Sequence, residues 1–269
     1  MISIKTPEEI AVMRANAQLL CAVLAEVVAQ AQPGTSTAEL DALAERLIRA
    51  QDAEPSFKGY RGFPGSICAS LNDEIVHGIP SPERVLAEGD LLSIDVGLAK
   101  DGFCADTATS VAIGRLDARV ARLIEVDREA LRRGIEAARP GNRVGDISNA
   151  IGSYIESQGL GIVKNFVGHG IGRKMHEDPN VPNFGPAGKG PRLRAGMVLA
   201  IEPMVMEDLG VERVADDGWT VHTPEGGLAV HLEEMVLITE DGPEILTDRH
   251  SLEGSLVAPL PLEQPAASG

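Results

Sequence analysis

Apolar positions along the chain follow two periods, and the switches between them divide it into helix pairs and strands. Ile10, Met13, Ala17, Leu20, Leu24 and Val27 recur at helical spacing after Thr6–Pro7–Glu8–Glu9. Thr6 is the expected N-cap, Pro7 opens the helix and Glu9 closes a capping box. The pattern predicts a helix to about Gln30, stopped before Pro33–Gly34. Ser36 and Glu39 repeat the cap, and Leu40, Leu43, Leu47 and Ile48 carry a second helix to near Gln51. The period then shortens to two. Leu92, Ile94 and Val96 alternate with Leu91, Ser93 and Asp95 as a strand, and alternation resumes from Phe103 to Thr107 after the turn residues Lys100–Asp101–Gly102. A turn centred between Lys100 and Asp101 sets Asp95 opposite Asp106.

A second helix pair follows. Val120, Ile124, Leu131 and Ile135 predict a helix from about Ala118 to Ala138, stopped by Arg139–Pro140–Gly141. Ile147, Ile151, Tyr154 and Ile155 predict the next, from about Val144 to Gln158, with Gly159 as terminator. Asp146 reads as a cap-like charge with no catalytic role. The last strand, Ala229 to Thr239, alternates Val230, Leu232, Glu234 and Val236 against His231, Glu233, Met235 and Leu237. Both faces mix polar with apolar residues, so alternation does not decide whether Glu233 or Glu234 points inward.

The two halves echo each other. Gly89–Asp90–Leu91–Leu92–Ser93–Ile94–Asp95 matches Gly196–Met197–Val198–Leu199–Ala200–Ile201–Glu202 at an offset of 107 residues, and each copy follows a helix pair. A duplicated unit, with halves of roughly 5–112 and 117–240, brings two acid-bearing strands together across a pseudo-twofold. The expectation is one catalytic domain over 1–250 and a loose tail over 251–269, where Pro259, Pro261 and Pro265 precede Ala266–Ala267–Ser268–Gly269.

Charge and cysteine usage narrow the class. A net charge of −16 argues against nucleic acid or an anionic membrane as the main partner. The three cysteines, Cys21, Cys68 and Cys104, form no paired motif and suit a reducing compartment. No basic–apolar signal segment opens the chain, and no apolar run is as long as a bilayer span. Cytoplasmic residence is the expectation. Aromatics are only 3 % of the chain, yet Phe57, Tyr60 and Phe63 cluster in a glycine-rich stretch, which is how an apolar pocket is walled.

The chemistry lies in the acids. Asp95, Asp106, His169 (between Gly168 and Gly170), Glu202 and one of Glu233 or Glu234 give four carboxylates and one imidazole at strand ends and glycine bends. Such carboxylates cannot be buried together unpaired. Oxygen-rich ligation with a single nitrogen favours hard or borderline divalent ions, and two ions bridged by carboxylates activate water for hydrolysis. His77, in Val76–His77–Gly78–Ile79–Pro80, is a lone histidine that packing alone could account for.

These motifs closely resemble the methionine aminopeptidases, in their short bacterial type I form with the duplicated pita-bread fold. The resemblance covers roughly residues 3–249. It rests on Ser70–Leu71–Asn72–Asp73–Glu74–Ile75–Val76–His77–Gly78–Ile79–Pro80, on Asp95 and Asp106, on Gly168–His169–Gly170–Ile171–Gly172–Arg173 with His176–Glu177, and on Ile201–Glu202–Pro203. It implies an α+β fold in which a curved antiparallel sheet carries two helix pairs on its outer face and the metals on its inner one. It implies two divalent ions (cobalt, manganese, iron, zinc or nickel) on Asp95, Asp106, His169, Glu202 and Glu233. Asp106 and Glu233 would bridge both ions, Asp95 would serve one, and His169 with Glu202 the other. His77 and His176 would face the substrate, Glu202 would relay a proton, and Phe57, Tyr60, Phe63, Cys68, Met175 and Trp219 would hold the methionine side chain. The implied reaction removes the N-terminal methionine from nascent chains, with a small second residue preferred. A monomer in transient contact with the ribosome goes with it.

Three departures from the family pattern stand out. Phe57 replaces a common cysteine, Met175 stands where an aromatic is frequent, and Glu234–Met235–Val236 replaces a histidine–threonine ending. That last feature looks more like the proline-specific peptidases of the same fold, which is the alternative reading. Those relatives usually carry a separate N-terminal domain, whereas about 50 residues precede the pocket region here. A non-enzymatic peptide-binding relative is the third reading, and retention of every expected ligand argues against it.

Overall fold

The computed structural model describes residues 2–248, so the expected tail over 251–269 lies outside the described residues. The first half runs α1 (Pro7–Gln30), α2 (Thr37–Arg49), β1 (Glu54–Pro55), β2 (Ile67–Leu71), β3 (Glu74–Val76), β4 (Leu91–Lys100) and β5 (Phe103–Ala112). The second opens with α3 (Ala118–Ala137), α4 (Val144–Ser157), β6 (Gly161–Ile162), β7 (Gly168–Gly170) and β8 (Glu177–Val181). It continues through β9 (Val198–Ile201), β10 (Met204–Met206), β11 (Arg213–Val214), β12 (Val221–His222), β13 (Ala229–His231), β14 (Glu234–Thr239) and β15 (Gly242–Ile245).

Local sequence accounts for the helices. Thr6 and Ser36 each close a capping box, with Glu9 and Glu39 reaching back to the cap amides. Losing such a cap costs about 1 kcal/mol. One face of α1 and α2, including Met13, Leu20, Leu24, Leu40 and Ile48, packs with Ile67, Ile94, Val96 and Leu98 of β2 and β4. Each fully buried leucine there contributes roughly 1.5–3 kcal/mol. By length and composition alone α1 could cross a membrane, yet half of its most apolar window is buried inside this fold. The second pair, α3 and α4, covers β9 and β14 in the same way, through Ile124, Leu131, Ile147 and Ile151 against Leu199, Ile201, Val236 and Ile238. Tyr154 is half-buried rather than buried, because Arg133 stacks over its ring at 4.2 Å.

Equivalent backbone contacts recur at the 107-residue offset. Isolated bridges join Ser36 to Val85 and Arg143 to Arg192, each position displaced by 107 residues between halves. The same displacement relates the backbone bonds Gly34 N–H to Leu86 O and Gly141 N–H to Leu193 O, and Thr37 N–H to Arg84 O and Val144 N–H to Pro191 O. Asp146 occupies the place of Glu39: it accepts from the Arg143 amide and also from Gly188.

All strand pairings are antiparallel among the described residues, in two principal sheets, β1–β4–β2 with β5 on β4, and β15–β14–β9–β7–β8. Two expectations about register change. The β4–β5 turn is centred between Asp101 and Gly102, since Lys100 pairs with Phe103. Asp101 and Gly102 both have positive φ, +52° and +79°, the backbone of a tight two-residue hairpin. Asp95 therefore pairs with Ala108 and Asp106 with Gly97. The long last strand is also broken: β13 pairs with β10, β14 pairs with β9, and Leu232 and Glu233 lie between them. At this break the halves meet. Glu233 bridges Ala108 of β5, its amide donating to Ala108 O at 3.1 Å, and Thr107 Oγ1 donates to Glu233 O at 2.8 Å.

Candidate metal centre

The seam between β5 and the β13–β14 break gathers the acids. Asp95 and Asp106 come from β4 and β5, two residues apart in register and so on one face. Glu202 follows β9 and Glu233 precedes β14, each the next residue beyond the Ile201–Glu234 pair. Glu233 is 2 % exposed and turned into the seam. Glu234 is turned away, where Thr247 Oγ1 donates to its carboxylate. Met235, also at the departure from the family ending, accepts the Asp106 amide on its sulfur at 3.2 Å.

His169 lies in β7, squeezed between β8 and β9. A Cβ at Gly168 would stand 2.4 Å from Ala200 O, and one at Gly170 only 2.2 Å from Asp178 O, so both flanking positions demand glycine. His169 Nδ1–H donates to Gly170 O at 2.9 Å, which leaves the Nε2 lone pair facing the acids. Nε2 is 3.5 Å from Glu202 Oε1 and 3.8 Å from Asp106 Oδ2. These separations are long for hydrogen bonds and suit donors that share an ion. Asp106, His169 and Glu233 offer ligand atoms that all lie within 4.8 Å of one another.

Electrostatics give the same picture. Burial pushes Asp95 up to about 7, with Glu202 adding to the rise, and pushes Glu202 up to about 8. Burial first, then the neighbouring carboxylates, holds Asp106 and Glu233 well above the ordinary range. Burial also lowers His169 to about 4, so its imidazole is neutral and able to ligate. Asp95 Oδ1, Asp106 Oδ1 and Glu233 Oε1 are buried with no hydrogen-bond partner. Two buried carboxylates, Asp106 and Glu233, and two part-buried ones, Asp95 and Glu202, without a cationic side chain among them are compensated by divalent ions, and the donor set of oxygens with imidazole fits such ions.

A cavity of about 390 Å³ opens on this cluster. Phe57, Tyr60, Phe63, Cys68 and Trp219 line it, together with His77, His169, His176 and Glu202. Phe63 and Trp219 meet edge to face at 5.1 Å, and Tyr60 stacks on His176 at 5.3 Å. His176 is also 4.2 Å from the His169 ring, centroid to centroid. Met175 is not a wall. It is 4 % exposed and belongs to the α1–α2 core, where it and Phe57 flank Gly97.

His77 is held at a φ of +60°, a conformation that costs a non-glycine residue about 1 kcal/mol or more. Its ring lies edge to face against Phe166 at 5.3 Å and Trp219 at 6.3 Å, and burial lowers it to about 4. Several cavity residues escaped the sequence reading, among them Arg61, Phe166, and His231 of β13, whose side chain reaches Glu202. The available signal for His231 was its position two residues before Glu233 on a strand, hence on the same face.

Comparison with known proteins identifies the family. Metallopeptidase family M24 matches residues 11–240. A methionine aminopeptidase of Clostridium acetobutylicum is 50 % identical over 247 residues, covering 92 % of this chain and 99 % of that protein. The crystal structure of methionine aminopeptidase from Thermotoga maritima superposes with a TM-score of 0.90 at 42 % identity, covering 92 % of this chain and 100 % of that one. A prolidase structure from Pyrococcus horikoshii shares the fold at a TM-score of 0.75 and 24 % identity, and the match spans 63 % of its length.

Proposed function

The chain belongs to metallopeptidase family M24, with the α+β pita-bread fold, and we propose that it is the hydrolase that removes N-terminal methionine from peptides and nascent proteins. The observation that carries this reading is the aromatic cavity opening directly onto the buried acid–imidazole cluster. Asp95, Asp106, His169, Glu202 and Glu233 would hold two divalent ions there. Such ions, when bound, supply Lewis acidity and a water activated near neutral pH.

The protein's own groups do the rest. The apolar walls Phe57, Tyr60, Phe63, Cys68 and Trp219 take an unbranched thioether side chain. The free α-amino group lies at the acid cluster, which fixes cleavage at the first residue. His176, at the cavity mouth beside Tyr60, donates to the scissile carbonyl oxygen as charge develops on it. His77, with its ring fixed by Phe166 and Trp219, contacts the scissile amide nitrogen. Glu202, whose carboxylate is made more basic by burial, takes a proton from the attacking water and passes it to the leaving amine.

Glu234, the feature most like a proline-specific peptidase, faces Thr247 and lies outside the cavity lining, so it gives that alternative no support at the substrate. A monomer in the cytoplasm, meeting nascent chains at the ribosome, belongs to the same proposal. The test is a peptide panel, Met-Ala-X, Met-Leu-X and Ala-Pro-X, on metal-stripped protein reloaded with single defined ions. Preference for Met-Ala-X supports the assignment; equal or better cleavage of Ala-Pro-X overturns it.

A further inference from the structure

His231 stands to Glu202 as His169 does. His231 Nε2 is 3.6 Å from Glu202 Oε2, and His169 Nε2 is 3.5 Å from Glu202 Oε1, so each oxygen of one carboxylate faces one imidazole. Neither distance is a hydrogen bond. Two donors each about 2.1 Å from a single ion lie roughly 3–3.5 Å apart at octahedral or tetrahedral angles, so both pairs have the spacing of ligands that share an ion. His231 is 2 % exposed, and its Nε2 is buried with no hydrogen-bond partner.

The residue is also built in rigidly. Its amide donates to Ser110 Oγ at 2.9 Å, and Ser110 Oγ lies 3.1 Å from its carbonyl oxygen and 2.7 Å from Ser93 Oγ. Across β10 it pairs with Met204. These contacts fix its backbone against both halves of the molecule, and its side chain enters the cavity on the same wall as Glu202. A histidine clamped by its main chain, buried, and left with an unpartnered nitrogen toward the acid cluster has the features of a ligand rather than of core packing.

We propose that His231 supplies a second imidazole nitrogen to the divalent-ion centre, on the side of Glu202 opposite His169. The proposal rests on the metal-centre reading above and extends it, since that reading contains one imidazole. A second nitrogen moves the centre's preference toward borderline ions such as zinc, cobalt and nickel, and away from manganese.

The experiment uses the full chain, stripped and reloaded with cobalt or zinc, as wild type, His231→Gln and His231→Asn. X-ray absorption on the zinc form counts imidazoles by their multiple scattering, and proton NMR on the cobalt form counts paramagnetically shifted, exchangeable ring N–H signals. Calorimetry gives the affinities, and circular dichroism confirms that each variant is folded. The expected result is signals from two histidines in wild type and one in each variant, with zinc affinity weakened by about tenfold or more and manganese affinity changed less. One imidazole in wild type, or an unchanged count in the variants, overturns the role of His231 while leaving the metal centre intact. Wild-type protein that binds no divalent ion overturns the centre itself.

Discussion

Asp95 stands opposite Ala108, and Asp106 two residues further along the same strand, so both carboxylates lie on one face of the β4–β5 ladder. Glu202 and Glu233 meet that face from the other half of the molecule. The resulting crowding of acids makes the centre a liability for folding unless cations occupy it, and this has a measurable pH dependence.

In metal-stripped protein, unfolded carboxyls titrate near 4, whereas burial holds Asp95 up to about 7 and Glu202 up to about 8. These carboxyls therefore bind more protons in the folded state across that interval, and their contribution to stability falls as pH rises through it. Below about pH 6.5 the buried neutral histidines His77 and His169 act in the opposite sense, so thermal melts of stripped protein should show Tm declining from about pH 6.5 to about pH 8, and adding a divalent ion should flatten the decline. A Tm that rises over this range would contradict the arrangement.

Glu233 faces the seam and Glu234 faces Thr247. Glu233→Gln should lose nearly all turnover and bind divalent ions weakly in calorimetry, because a buried ligand oxygen loses its charge. Glu234→Gln should keep most of its turnover and bind ions normally. The reverse ranking would mean that the ligand strand is one residue out of register.

Specificity follows from the cavity walls. Replacing methionine by alanine at the first position removes three heavy atoms of burial, each worth roughly 0.8 kcal/mol, for a loss of about 50-fold or more in kcat/KM. Proline fills less of the space and presents a secondary amine. Met-Ala-X should therefore be cleaved at least about 100-fold more efficiently than Ala-Pro-X, with Met-Leu-X poor. Phe63→Ala, which removes the ring packed on Trp219, should narrow the gap between methionine and alanine substrates. Side-by-side kinetics under one metal decide the matter.

His77 combines a positive φ with a ring wedged between Phe166 and Trp219. His77→Asn keeps a residue type that tolerates the left-handed backbone, so the fold should survive with Tm little changed. Its kcat should drop by about 10²–10⁴, the usual contribution of a positioned polar side chain. Wild-type kcat in a folded His77→Asn variant would reduce His77 to a packing residue.

The sequence by itself determined whatever depends on near neighbours. Both helix pairs could be read from caps and apolar spacing, and the duplication from a single seven-residue match, because helix formation and strand alternation are set within a few residues. The candidate ligands could be listed because buried acids beside glycine have few other uses. Their convergence was decided by packing between distant segments. The hairpin register turned on whether Asp101 and Gly102 would both take positive φ, which moved Asp95 from facing Asp106 to facing Ala108. Alternation alone could not choose between Glu233 and Glu234; the break between β13 and β14, imposed where Glu233 bridges Ala108 of the other half, sets the inward residue. The same seam drew His231 toward Glu202, while core packing beside Gly97 took Met175 out of the pocket. Each of these outcomes depends on contacts between residues far apart in the chain, which local periodicity does not encode.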